Sequence, residues 1–99
     1  MANNKAKNVK APLESLVWAL CDIDNPREMH RFLEEILTPA ECSDLALRWQ
    51  LMLLLLEGVP QRKIAERLGI SLCKITRGAK ILKTDGSVSK KHLSFRRQL

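Results

Sequence analysis

Apolar residues recur at intervals of three or four positions along most of this 99-residue chain, which is the spacing of helices with one buried face. Four of them mark a first short helix over 13–21: Leu13, Leu16, Val17 and Leu20. Asn25 and Pro26 then supply an N-cap and a first-turn proline, so a second helix is expected to follow. No strand-like alternation is long enough to build a sheet, and the pattern predicts an all-α fold of about five to six helices.

A longer third helix is predicted to begin at Thr38-Pro39-Ala40-Glu41, where the threonine and glutamate side chains can accept from the first N–H groups and the proline lacks an N–H. Gly58 provides its stop. The block Leu51–Leu56 leaves no polar face in the last turns, so it must be covered on nearly all sides. A chain of this size has little surface to spare, and we therefore expect an intertwined homodimer rather than a monomer.

Residues 61–83 carry the pattern of a helix-turn-helix. Four apolar residues can pack two short helices on each other, namely Ile64, Leu68, Ile70 and Ile75. Ala65 is small where the helices would cross, Gly69 permits the sharp turn, and Ser71 is expected to cap the second helix. The second helix is then the one that enters a major groove of DNA.

The sequence pattern predicts less regular structure at the two ends of the chain. Residues 1–12 are polar and basic without an apolar core segment and are expected to form a flexible arm, with residues 13–99 as a single helical domain. Asp85-Gly86 marks a turn, after which the basic segment 87–99 predicts a short final helix. The Leu51–Leu56 run is far shorter than the roughly 18 residues of a membrane span, so no membrane contact is expected.

Charge is distributed unevenly between the halves of the chain. Residues 59–99 contain eleven basic and two acidic side chains, a net charge of +9, whereas residues 1–58 carry −3. A basic half joined to an acidic, apolar half is typical of a nucleic-acid-binding module attached to an assembly module. A lysine-rich surface without a partner would have the same net charge. The charge therefore supports DNA binding only together with the helix-turn-helix pattern.

The DNA-binding candidates follow from that pattern. Near the start of the first helix, Gln61, Arg62 and Lys63 are expected to contact phosphates. On the second helix the candidates for the DNA face are Ser71, Leu72, Cys73, Lys74, Thr76, Arg77 and Lys80. Lysine and arginine suit guanine edges or phosphates, and a small thiol or an apolar group suits a thymine methyl.

Several phrases resemble the tryptophan repressor family, including its repressor-like relatives, in order and nearly in spacing. They are Leu37-Thr38-Pro39-Ala40-Glu41, Arg48, Leu54-Leu55-Leu56-Glu57-Gly58, Gln61-Arg62-Lys63-Ile64, Leu68-Gly69, Ile75-Thr76-Arg77-Gly78 and Leu82-Lys83. The resemblance implies an intertwined helical dimer that represses transcription from a palindromic operator, with L-tryptophan or a related molecule as corepressor.

The same resemblance implies a corepressor pocket. Arg48 and Arg77 match the two arginines whose guanidinium planes hold the indole in that family, and Thr38 matches a residue at the edge of the pocket. Arg77 can also hold a carboxylate by paired hydrogen bonds. Ile81 stands where the family places a serine that helps to hold the ligand. Arg48 is also interpretable as a member of a surface or interface ion pair.

Other functions fit the sequence less well than ligand-responsive repression. The alternative within the same class is a repressor-like DNA-binding regulator with a different effector or none. An enzyme is not expected, because His30 and His92 are isolated and no paired carboxylates or glycine-rich phosphate loop occur. A protein-binding helix-turn-helix fits the basic half poorly. Cys21, Cys42 and Cys73 form no metal-ligand or disulfide pattern, so we expect no metal and a cytoplasmic protein.

Overall fold

A computed structural model describes residues 9–97, and within that range the chain contains six helices and no strand. We number the helices in chain order: α1 (Lys10–Asp22), α2 (Pro26–Ile36), α3 (Pro39–Leu56), α4 (Gln61–Leu68), α5 (Leu72–Lys83) and α6 (Val88–Arg97). The predicted all-α fold of five to six helices is confirmed.

The first two helices begin as their local sequence requires. The Glu28 N–H donates to Asn25 Oδ1 at 2.8 Å, so Asn25 caps α2 in front of Pro26 as predicted. Helix α1 starts earlier than expected, because residues 10–12, assigned to the arm, form its first turn. The first eight residues of that predicted arm lie outside the described range.

Glycines end α3 and α4. Gly58 has a φ of 84°, which lets the Gly58 N–H donate to Leu55 O and the Val59 N–H to Leu54 O. Gly69 is left-handed at φ 64° and ψ 39°, and its N–H donates to Ala65 O at 2.9 Å. Both ends agree with the predicted stop and turn, since these backbone conformations strain any residue with a β-carbon.

The chain divides into two compact units, with the boundary between Pro39 and Ala40. In the first unit, which contains α1 and α2, no residue of either helix is buried. In the second unit, a core cluster of buried side chains joins α3, α4, α5 and α6: Leu51, Met52, Ile64, Ile75, Leu82 and Leu93. The single domain expected over residues 13–99 stays a prediction.

The leucine block of α3 is only partly covered in one copy of the chain. Leu51 and Met52 are buried, at 2% and 5% exposure, whereas Leu53–Leu56 remain half-buried. Side chains on α4 and α5 supply much of this cover. Ile64 and Ile75 are fully buried and belong to the same core cluster as the α3 residues. The homodimer, expected from the same block, stays a prediction.

Within residues 9–97, none of the helices combines the length and the apolar character needed to cross a membrane.

Candidate nucleic-acid interface

The first turn of α4 carries exposed, positively charged side chains. Gln61, Arg62 and Lys63 occupy its first turn, all three are exposed, and this turn contains no acidic residue. Pro60 precedes them without making a side-chain cap hydrogen bond. Because a helix N-terminus already carries a partial positive charge, cations here are locally unfavourable and gain from an anionic partner.

The exposed face of α5 carries a shallow depression that is wide open to solvent, which we call the α5 groove. Five side chains at helical spacing line it: Leu72, Cys73, Thr76, Arg77 and Lys80. All five belong to the predicted DNA face, so packing brings most of that set together on one surface. The groove is apolar at the N-terminal end of the helix and cationic towards its C-terminal end.

Ser71 stands at the N-cap position of α5, with extended backbone angles of φ −74° and ψ 152°. The expected capping hydrogen bond is absent, and the Ser71 side chain accepts no hydrogen bond from the N–H groups in the first turn of α5. The first turn of α5 also contains no acidic residue. The N–H groups at this end therefore stay available to an external acceptor such as a phosphate oxygen.

A second, more enclosed cavity of about 90 Å³ lies between α3 and α5. Its lining consists of Asp44, Leu47, Arg48, Leu51, Ile70, Lys74, Arg77, Gly78 and Ile81. Three of the four predicted corepressor residues, Arg48, Arg77 and Ile81, thus share one cavity. Thr38 precedes α3 in the first compact unit and is not among the lining residues, so its role at the pocket edge stays a prediction.

A family model for the Trp repressor protein matches residues 11–96 of the chain. The chain belongs to the Trp repressor family. The family resemblance seen in the sequence is therefore confirmed, and the match extends from the second residue of α1 to the last residue but one of α6.

Curated relatives in this family carry the name Trp operon repressor homolog. The chain is 43% identical over 67 residues to that of Xylella fastidiosa (strain M23), an alignment covering 67% of this chain and 73% of the relative. It is 39% identical over 75 residues to that of Chlamydia trachomatis serovar D, covering 71% and 80% respectively. No solved structure matches the chain significantly.

Arg77 belongs to both concave surfaces of this Trp repressor family member. It lines the cavity together with Arg48 and also lines the outer groove of α5. Lys74, predicted on the DNA face, is exposed but lines the cavity rather than the groove. A molecule in the cavity would therefore contact a residue that also belongs to the candidate DNA surface.

The side chains that line the cavity carry a net positive charge. Arg48, Lys74 and Arg77 face it with Asp44 as the single carboxylate, and none of the four forms an ion pair with another described residue. Leu47, Leu51 and Ile81 provide an apolar wall beside them. This combination suits a small anion with an apolar body.

Sequence reasoning did not include Asp44, Leu51 or Gly78 in this cavity. The helical period contained the necessary pattern, because residues 44, 48 and 51 share one face of α3, and residues 74, 77, 78 and 81 share one face of α5. What the pattern lacked was the information that these two faces pack against each other.

The described residues contain no cluster of histidine, cysteine or carboxylate side chains that could hold a metal ion. Among the described residues, Cys21, Cys42 and Cys73 form no disulfide. An open groove between α1 and α2 mixes arginines with carboxylates, including Arg27, Arg31, Glu28 and Glu35, and presents no single charge to a ligand.

Proposed function

We propose that this chain is a sequence-specific DNA-binding transcriptional repressor, a cytoplasmic regulator rather than an enzyme, that acts on a palindromic operator. The observation that carries the proposal is the outward groove of α5, which gathers Leu72, Cys73, Thr76, Arg77 and Lys80 directly after the Gly69 turn. A helix presented in this way fits a major groove, with its first residues next to the base edges.

Electrostatics support the duplex as partner. The net charge of +9 over residues 59–99 lies on the half of the chain that contains α4 and α5. The first turns of α4 and α5, like those of α1 and α6, contain no acidic residue, whereas those of α2 and α3 carry Glu28 and Glu41. The acidic side chains that usually stabilise helix N-termini are thus missing where phosphates would take their place.

The homodimer is part of the proposal. In one copy, α1 and α2 bury no residue, and several large apolar side chains stay exposed, among them Leu13, Val17, Trp18, Leu45 and Trp49. A second copy would cover such surface and bring two α5 helices to successive major grooves, about 34–36 Å apart on B-DNA.

A ligand response is supported by Arg77, which lines both the cavity and the groove. The cavity of about 90 Å³ is smaller than the roughly 150 Å³ that holds a benzene ring, so an indole-sized molecule would either extend out of its open side or move α5 away from α3. The candidate ligand is L-tryptophan or a related corepressor, with its ring between the guanidinium planes of Arg48 and Arg77 and Thr38 at the edge. Ligand binding would then set the position of the DNA-facing groove.

The second candidate is a repressor-like regulator with a different effector or none. Ile81 favours it, because this residue adds an apolar wall to the cavity where the family places a hydroxyl group. An aliphatic side chain can offer no hydrogen bond to an ammonium group.

DNA binding is tested by selecting duplexes from a random library with the full chain and measuring affinity for the selected site by fluorescence anisotropy. A palindromic consensus and a dimer in sedimentation support the proposal. Failure to enrich any sequence, or a monomer on DNA, overturns it. Calorimetric titration with L-tryptophan, with and without the operator, separates the two candidates, because no heat at millimolar ligand favours the second.

A further inference from the structure

The N-terminal end of the α5 groove is apolar and open to solvent. Leu72 is 50% exposed as the first residue of the helix, and Cys73 beside it is exposed as well. Neither belongs to the core cluster or to the partly buried side chains packed against it, although Ile75 and Leu82 on the same helix are buried. Two unpartnered apolar side chains therefore stand at the tip of the helix.

We propose that Leu72 and Cys73 select thymine in the operator by contacting its 5-methyl group in the major groove. The proposal rests on the DNA-binding function above and specifies which chemical feature of the DNA this end of the helix recognises. Leucine makes only apolar contacts, and a cysteine side chain behaves as a small hydrophobe with weak hydrogen-bonding capacity. Neither can discriminate bases through strong hydrogen bonds.

Duplex DNA offers one kind of group in its major groove that these two side chains can contact favourably. Each base pair presents donors and acceptors in the major groove, and the thymine methyl is the only apolar group among them. A protein partner would suit an apolar tip equally well. The same groove, however, continues into Arg77 and Lys80, and Lys74 is exposed on the same helix, so its charge complements a polyanion.

The order of side chains along the groove agrees with this assignment. The first residues of a recognition helix approach base edges most closely, and here these are Leu72 and Cys73. Thr76 follows one turn later with both a methyl and a hydroxyl group, and Arg77 and Lys80 complete the groove. This order places the apolar side chains at base edges and leaves the cationic end of the groove to contact guanine or phosphate.

The test replaces thymine by deoxyuracil, one position at a time, in the operator selected with the full chain. This change removes only the methyl group. Loss of one buried methyl corresponds to about a fourfold weaker affinity, and to roughly fifteenfold when both halves of the palindrome are changed. We expect this loss at one or two thymines of each half-site and little change at the others.

Two variants assign the contact to the protein. Leu72→Ala and Cys73→Ser should each weaken binding to the thymine operator and abolish the difference between thymine and deoxyuracil at one position, as in a double-mutant cycle. Val88→Ala is the matched control, since Val88 is equally apolar and 68% exposed but lies on α6. Circular dichroism verifies that each variant keeps its helices.

The outcomes distinguish thymine selection from DNA binding itself. A selected operator whose affinity is insensitive to deoxyuracil at every position, or whose sensitivity persists in both Leu72→Ala and Cys73→Ser, overturns thymine selection while leaving sequence-specific binding intact. A consensus without thymine in its half-sites overturns it too. Failure to select any consensus overturns the proposed function itself.

Discussion

Gly78 on α5 packs so closely against Leu51 on α3 that a β-carbon at residue 78 would lie 2.6 Å from Leu51 Cδ1. Met52 Cγ would lie 3.3 Å away, so a second side chain limits the same space. Leu51 and Met52 are themselves buried and cannot move aside freely. This contact brings α5 onto α3 beside the cavity, next to Arg77 in the sequence.

Replacing Gly78 by alanine should therefore destabilise the protein despite the better helix propensity of alanine. Overpacking of a filled core costs about 1–3 kcal/mol, against a gain of about 1 kcal/mol from removing a helical glycine. We expect a net loss of about 1 kcal/mol in the free energy of unfolding, measured by urea denaturation, and weaker operator binding because α5 shifts.

The double variant Leu51→Ala, Gly78→Ala provides the control. Shortening Leu51 alone should cost about 2–5 kcal/mol, but it also makes room for the new methyl group. The cost of the double variant should be clearly smaller than the sum of the single costs. Additive costs would show that the two residues do not compete for space.

The turn between α4 and α5 depends on the left-handed backbone of Gly69, where φ is 64°. Gly69→Ala should lower the free energy of unfolding by about 1–2 kcal/mol, because a β-carbon is strained in this conformation. Gly69→Asn should lose less, since asparagine tolerates the left-handed region better. Equal stability of the alanine variant in urea denaturation would contradict a left-handed backbone at this turn.

The N-cap of α2 offers a test of the first compact unit. Asn25→Ala removes the acceptor for the Glu28 N–H and should cost about 1 kcal/mol. Asn25→Asp keeps an acceptor oxygen and should remain near the native stability. Thermal denaturation followed by circular dichroism compares the three proteins, and an alanine variant as stable as the aspartate variant would argue against the cap.

The salt dependence of DNA affinity distinguishes direct phosphate contacts from the general effect of positive charge. The double variant Arg62→Gln, Lys63→Gln should reduce the slope of log affinity against log salt by about 0.9 for each phosphate that the protein no longer neutralises. Lys90→Gln, Lys91→Gln is the matched control, because it removes the same charge from α6 within the same basic half. Equal slopes for the two double variants would show that the α4 cations have no special place on the duplex.

The two cavity arginines should differ in what their replacement affects. Arg48→Ala should weaken ligand binding in calorimetry while leaving ligand-free DNA affinity nearly unchanged, because Arg48 lines the cavity and not the α5 groove. Arg77→Ala should weaken both, since Arg77 also lines the groove. Arg48→Lys retains the charge but not the planar guanidinium, so it tests stacking. Full operator binding by Arg77→Ala would separate the cavity from the DNA surface.

Much of the local structure followed from short segments of sequence. The start of α2 at Asn25-Pro26, the start of α3 after Thr38 and the glycine ends at Gly58 and Gly69 all lie where residue chemistry places them. Capping, proline geometry and left-handed glycine depend on neighbours within about one helical turn, which is why a linear pattern contains them. The motifs of α3–α5 likewise identified the family.

The sequence by itself thus determined the number of helices, the starts of α2 and α3, the ends of α3 and α4, and the chemistry of the α5 residues. The helix pattern and the family resemblance had already placed Arg77 in both the DNA face and the pocket, but only the tertiary structure decided that Lys74 and Asp44 join Arg48 around one cavity, and that this cavity is small. These features depend on how closely α5 approaches α3, and that distance results from the packing of Gly78 against Leu51 and Met52. Such packing joins residues far apart in the chain, where no local period relates them.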